Sequence, residues 1–227
     1  MYKSKKVLGI IPARGGSKGI PLKNIVKLGE KPLIQYTIDQ CKSSKLLTKF
    51  VVSTDNEKIA NVALDLGAEV VRRPTEISKD NSRTEECLIH CLCLMESKGE
   101  LFDYVAILEP TSPFRKYETI DESIKFLIDE NKNSLLTCKS STENIGELKN
   151  GNIFKPLIPE NPRRRQERIP LFIESSTIYI VKSNYLIETK SIVSKEWLVK
   201  IIDPLEAIDI NTQLDLNYAK FLLSKKN

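Results

Sequence analysis

Short apolar runs that break off into polar residues recur along this chain, and between them the apolar spacing changes to that of a helix. Val7–Pro12 is the first such run, and it leads straight into a glycine-rich loop. Unbroken apolarity over so few residues suits a strand buried on both faces of a parallel sheet. Phe50–Asp55, Ala68–Arg73, Tyr104–Leu108, Ser134–Cys138 and Ile178–Val181 are read as further strands. Helices are expected over Pro32–Cys41, Ser82–Met95 and Thr119–Asp129, and from the Asp209–Thr212 loop to Leu223. One more starts at Asn56, a fitting N-cap, carries Ile59, Val62, Ala63 and Leu66 at helical spacing, and stops at Gly67. Strand alternating with helix defines an α/β protein with a mainly parallel sheet flanked by helices. Such sheets bind ligands beyond the carboxyl ends of their strands. The loops that begin at Ala13, Thr54, Arg73 and Glu109 all lie at that edge, so their polar residues converge.

The pattern lapses between residues 139 and 177. This stretch holds several prolines, the basic run Arg163-Arg164-Arg165 and a hairpin signal at Lys149–Asn152. It reads as an insert, a flap or an oligomerisation arm, within a single domain over residues 1–227. The five cysteines are too scattered and odd in number for a disulfide framework. Helical spacing puts Cys87 and Cys91 on one face and turns Cys93 away, which favours packing over a metal cluster with His90. No apolar run approaches a membrane span, and a reduced, cytoplasmic protein is expected. The net charge of +5 fits either solubility or attraction of acidic small molecules, and the basic residues are less concentrated than nucleic-acid binding demands.

The chemistry concentrates in Ala13-Arg14-Gly15-Gly16-Ser17-Lys18-Gly19, continuing to Asn24. Glycines let the backbone turn tightly and bring its N–H groups against an anion. Arg14, Lys18 and Lys23 add positive charge within reach of the same loop, a composition suited to a triphosphate. The spacing fits neither the Walker A loop nor the dinucleotide fingerprint.

The segment Ile11–Asn24 resembles the signature of the acylneuraminate cytidylyltransferases, the CMP-sialic acid synthetases. Further matches follow in order: Val52–Asp55, Arg73-Pro74, Pro110–Pro113, Ile178–Ile180, Asp209–Thr212 and Leu214–Leu216. The resemblance spans nearly the whole chain. It implies a Rossmann-like nucleotidyltransferase fold with a small dimerisation insert, a homodimer, and transfer of CMP from CTP to a nonulosonic acid with release of pyrophosphate. The product would feed a surface glycan such as capsule, lipopolysaccharide or glycosylated flagellin. By the same resemblance Arg14 and Lys18 hold the triphosphate, with Ala13, Gly15, Gly16 and Ser17 around it. Lys23 and Asn24 border the reacting phosphate, and Arg73 and Thr84 contact the nucleotide. Asp209 and Asn211 fall at the Mg²⁺ site. Glu109, Thr111, Ser112, Ser175 and Tyr179 fall at the sugar. Arg165 aligns with a position that reaches an active site, often the partner subunit's, to hold the sugar carboxylate.

This chain departs from the family pattern in places. Asn211 replaces a second aspartate, and Glu109 stands where many sialic acid enzymes have glutamine. Ser175-Ser176-Thr177 replaces Asn-Gly-Ala, and Ile173 replaces an arginine. The last three changes fall where the sugar is recognised, which opens legionaminic, pseudaminic or an octulosonic acid as alternatives. Asn211 opens a different one, a nucleotide-sensing or RNA-binding module without turnover.

Overall fold

The structure is a computed structural model that describes residues 1–17 and 19–225, so Lys18 lies outside the described residues. Its centre is a seven-stranded sheet. The first half of the chain supplies β1 (Val7–Pro12), the short ribbon β2 (Lys27–Leu28) and β3 (Lys31–Pro32), α1 (Leu33–Ser43), β4 (Lys49–Thr54), α2 (Glu57–Asp65) and β5 (Glu69–Arg72). Then come α3 (Thr84–Ser97), β6 (Tyr104–Ile107), α4 (Tyr117–Asp129) and β7 (Ser134–Ser141). A hairpin of β8 (Gly146–Lys149) and β9 (Ile153–Pro156) leads to β10 (Leu171–Lys182), α5 (Ser183–Thr189), β11 (Leu198–Ile201) and α6 (Gln213–Ser224).

The sheet order is β11-β7-β10-β6-β1-β4-β5. β1 pairs in parallel with β4 and β6, β4 with β5, and β7 with β11. β10 runs antiparallel between β6 and β7. The unbroken apolarity of β1 now has its reason. Val7 and Ile11 enter the core that holds Ile34, Ile38, Ile59 and Ile124 from α1, α2 and α4. Leu8 and Ile10 enter the opposite core with Leu88, Cys91 and Met95 of α3. All four β1 residues are essentially unexposed, and each such side chain contributes about 1.5–3 kcal/mol. A third cluster, including Leu28, Leu33, Ile210 and Leu216, seats α6 beside the β2–β3 ribbon.

The helix ends are built from local side chains. The Asn56 amide accepts from Lys58 N and Ile59 N at 3.0 and 3.2 Å, a cap worth about 1 kcal/mol. At α6, Thr212 accepts from Asp215 N at 3.2 Å while the Asp215 carboxylate takes Thr212 N at 2.7 Å. α3 begins at Thr84 rather than Ser82, because Arg83 N bonds the Glu86 carboxylate at 3.0 Å and closes the first turn there. As the spacing predicts, Cys87 and Cys91 are buried and Cys93 is exposed.

The short elements α5 and β11 carry no sequence signal that anticipates them. β7 and β10 also extend into the stretch read as an insert, pairing with each other from Leu171↔Ser141 to Ser175↔Thr137. The register then jumps to Tyr179↔Leu136, so Ser176, Thr177 and Ile178 bulge from β10. The Thr137 hydroxyl serves the freed backbone, accepting from Ile178 N at 3.1 Å and lying 3.1 Å from Ser175 O. In the hairpin, Asn150 and Gly151 take the positive φ angles of its turn, 52° and 82°. No helix among the described residues is long and apolar enough to cross a membrane.

Candidate active site

Two adjoining clefts, of about 380 and 230 Å³, open at the carboxyl edge of the parallel strands and share Pro12, Arg14 and Glu109 as a common wall. The glycine-rich loop reaches them by continuing β1. Ala13 N bonds Ser53 O at 2.8 Å, and the Ala13 methyl is buried in the core. Asn24 then pulls the loop back on itself by donating to Arg14 O at 3.0 Å. Gly15 donates to the Asp55 carboxylate at 2.9 Å, and a Cβ there would lie 2.8 Å from the Asn56 side chain. A Cβ at Gly16 would meet nothing within 4 Å, whereas one at Gly19 would collide with the Asn211 carbonyl oxygen. The glycines therefore differ in purpose: two allow close packing and one leaves open space beside the backbone.

The larger cleft is lined by Ser17, Gly19, Lys23, Asn24, Thr111, Ser176, Asp209 and Asn211 together with the common wall. Lys23 Nζ donates to Ile210 O at 2.8 Å and to Asn211 Oδ1 at 2.9 Å. Burial lowers the Lys23 pKa, and the carboxylates of Asp209 and Glu109 oppose that shift. Asn211 donates in turn to Asp209 Oδ2 at 2.6 Å. That leaves Asp209 Oδ1 buried with no hydrogen-bond partner. An orphaned carboxylate oxygen in a cleft fits Mg²⁺, which takes one or two carboxylates and completes its shell with phosphate and water. In this arrangement the Asn211 amide oxygen is committed to Lys23, so Asp209 is the fitting protein donor. Among the described residues there is no larger grouping of His, Cys, Asp and Glu suited to a metal.

The smaller cleft is lined by Arg73, Lys79, Asp80, Arg83, Thr84 and Cys87 among others. Arg14 crosses its mouth, donating to the Asp80 carboxylate at 2.8 Å and Lys79 O at 3.3 Å. Arg73 is held by Ser53, through Oγ at 3.2 Å and O at 2.9 Å. Cys87 donates to the same hydroxyl at 3.2 Å. Its thiol pKa is lowered chiefly by a hydrogen bond with Cys91, against burial, with Arg73 assisting.

Glu109 belongs to both clefts. No hydrogen bond or ion pair among the described residues engages its carboxylate. Burial, reinforced by Asp209, raises its pKa to about 7. A carboxyl in that range can accept or donate near neutrality, much as the glutamine expected at this position would.

Arg14, Ser17, Lys23, Asn24, Arg73, Thr84, Glu109, Thr111, Asp209 and Asn211 thus come together at the clefts. Other candidates do not. Ser112 is buried beneath the cleft with its hydroxyl unpartnered. Ser175 is buried and shares a 2.6 Å hydrogen bond with the Thr177 hydroxyl. The bulge presents Ser176 to the cleft in its place. Tyr179 donates to the Glu174 carboxylate at 2.6 Å. Arg165 is exposed on a 3-10 turn (Arg165–Glu167) and bonds Thr142 Oγ1 at 2.9 Å, outside the cleft of its own chain. Sequence reasoning missed Pro12, Ser176, Arg83 and Cys87. Pro12 ends the first strand and stands at the start of the Ile11–Asn24 motif, but Ser176 depends on a bulge that residue types do not announce.

The profile of a family described as cytidylyltransferase matches residues 8–203. The CMP-N,N'-diacetyllegionaminic acid synthase of Legionella pneumophila is 34% identical over 216 residues, covering 92% of this chain and 93% of that protein. The N-acylneuraminate cytidylyltransferase of Escherichia coli O18:K1:H7 is 29% identical over 226 residues, covering 98% of this chain and 53% of that protein. A solved CMP:2-keto-3-deoxy-manno-octonic acid synthetase, complexed with CTP, shares the fold with a TM-score of 0.73 at 14% identity, covering 98% of this chain and 100% of that one.

Proposed function

The chain belongs to the cytidylyltransferase family, and on that premise we propose that it transfers CMP from CTP to the anomeric hydroxyl of a sialic-acid-like nonulosonic acid. Its sheet is the Rossmann-like nucleotidyltransferase fold. The observation that carries the reading is the pair of clefts meeting at Arg14 and Glu109, with a second cation, Lys23, on the larger side. The smaller cleft, with Arg73 and Thr84, takes the nucleoside, and the larger takes the phosphates and the acid.

In the reaction the anomeric oxygen forms a bond to the α-phosphorus and the bond to the β-phosphate oxygen breaks. Pyrophosphate leaves, and the hydroxyl proton passes to water. No enzyme nucleophile is needed, so the protein acts by positioning and by offsetting phosphate charge. Arg14 lies at the junction, where it meets the triphosphate. Lys23, half-buried and held by Ile210 O and Asn211, presents its ammonium without having to reorganise. Asp209 would hold Mg²⁺, whose charge would further offset that of the triphosphate.

Two finer points belong to the same proposal. The relatives named for legionaminic and N-acylneuraminic acids frame the substrate, and the Legionella protein is the more similar of the two, at 34% against 29% identity, which favours a legionaminic-type acid. A homodimer is supported by the apolar side chains exposed on the arm: Leu148, Ile153, Phe154, Leu157 and Phe172 are each more than half exposed. Arg165, which has no place in its own cleft, would then serve the partner's. The test is pyrophosphate release from CTP and Mg²⁺ with N-acetylneuraminic, N,N'-diacetyllegionaminic, pseudaminic and octulosonic acids. Binding of CTP without pyrophosphate release from any of them would refute the reading and favour a nucleotide sensor.

A further inference from the structure

The largest fully buried side chain in the protein is a charged one, Arg115, which is 1% exposed. Nothing in the reaction above uses it directly. Its guanidinium donates through Nη1 to Thr177 O at 2.6 Å and through Nη2 to Thr37 Oγ1 at 2.7 Å. Both nitrogens also reach Glu109 O, at 3.3 and 3.2 Å, while Nε has no partner. No carboxylate forms an ion pair with it among the described residues. Burial accordingly lowers its pKa to about 10, with Cys41, Glu109 and Glu206 opposing the shift. Burying a cation without a paired anion is costly, and an apolar side chain of similar volume would fill the space at less cost. The acceptors it serves account for its presence.

Two of those acceptors lie at neighbouring strand ends beside the larger cleft, because the antiparallel register Tyr179↔Ile107 brings Thr177 alongside Glu109. Glu109 ends the β6 side of the wall. Thr177 lies within the β10 bulge, next to Ser176, which lines the cleft. The bulge takes the Thr177 carbonyl out of the β-ladder, so it needs a donor from elsewhere. The planar fork of arginine spans both carbonyls at once, which a lysine ammonium cannot do with the same geometry. The Thr177 hydroxyl adds a further tie, to Glu206 O at 3.1 Å.

We propose that Arg115 is a positioning residue for the sugar acid: it fixes the distance between Glu109 and the Ser176 bulge, and so sets the width of the acid subsite without touching the substrate. This rests on the functional reading given above. On the nucleotide side, Arg73, Thr84 and residues 79–83 make no hydrogen bond to Arg115 among the described residues, and of its partners only Glu109 lines both clefts.

The experiment compares wild type with Arg115→Lys and Thr37→Val. It measures CTP affinity without acid, and KM and kcat for N-acetylneuraminic and N,N'-diacetyllegionaminic acids. Arg115→Lys is expected to raise KM for the acid about tenfold or more, because small misplacements near reacting groups are heavily penalised. CTP affinity should change by less than the acid KM, and the kcat/KM ratio between the two acids should shift. Thr37→Val, which removes one anchor of the fork and keeps the arginine, should move the same quantities less, and it decides the matter if Arg115→Lys does not fold. A merely structural role would lower the melting temperature and the active fraction while leaving the acid KM and the acid ratio unchanged, and that result would overturn the proposal. Wild-type protein inactive with every acid would instead refute the functional reading and this role with it, whereas an active wild type with an unmoved acid KM in both variants refutes the role alone.

Discussion

Glu109 carries a proton near neutrality that the unfolded chain has already lost, and this makes folding stability depend on pH in a direction opposite to most carboxylates. The carboxyl pKa rises from 4.5 to about 7 in the folded protein, because burial and the nearby Asp209 disfavour its charge. Between those values the native state binds more protons than the unfolded state, so stability falls as pH rises. The contribution is fully present below the unfolded value and lost by the folded one. A shift of this size corresponds to at most about 3 kcal/mol, and partial solvent access to the cleft reduces it to about 1–2 kcal/mol. Glu109→Gln removes the proton exchange and keeps the shape. The assay is urea unfolding of both proteins from pH 4.5 to 8.5, with chelator and without nucleotide. Subtracting the two curves cancels the titrating groups that do not interact with Glu109, including Asp103, Glu69 and Asp215, whose pKa values are lowered. The variant should gain on wild type steadily through pH 5–7 and hold a constant advantage above that. A difference independent of pH would refute the burial argument for Glu109.

Further outcomes follow from the same geometry. Asp209→Ala should lower turnover about 100-fold or more and weaken Mg²⁺ binding measured by calorimetry in the presence of CTP; full activity would remove the metal assignment. Arg165→Ala should raise KM for the acid about tenfold while leaving KM for CTP unchanged, and mixing it with an Asp209→Ala chain should restore activity if the arginine serves the partner's cleft. Gly19→Ala should push the phosphate loop off the Asn211 carbonyl and weaken CTP binding about tenfold, read by calorimetry, with the melting temperature changed by a few degrees at most.

The sheet was legible because its signal is repeated and local. Val7–Pro12 and Tyr104–Leu108 are apolar on both faces because helices cover both faces, and Asn56 caps α2 with its own amide. The phosphate loop was legible for a related reason: glycine and cation content survive in the sequence whatever lies around them. The sugar side was not, because its geometry is set by pairings distant in sequence. Ser175 looked like the residue to face the acid, yet β10 bulges after it, and Ser176 lines the cleft while Ser175 turns inward to Thr177. That bulge is held by Thr137 from β7 and Arg115 from the loop before α4, neither of which carries a signal for the acid subsite in the sequence. Specificity in this protein is thus written partly in residues that never meet the substrate. Substitutions at the lining alone, such as Glu109→Gln with Ser176→Gly, should therefore shift acid preference less than the same changes made together with Thr37→Val, since the lining presents its groups only at the separation that the buried guanidinium allows.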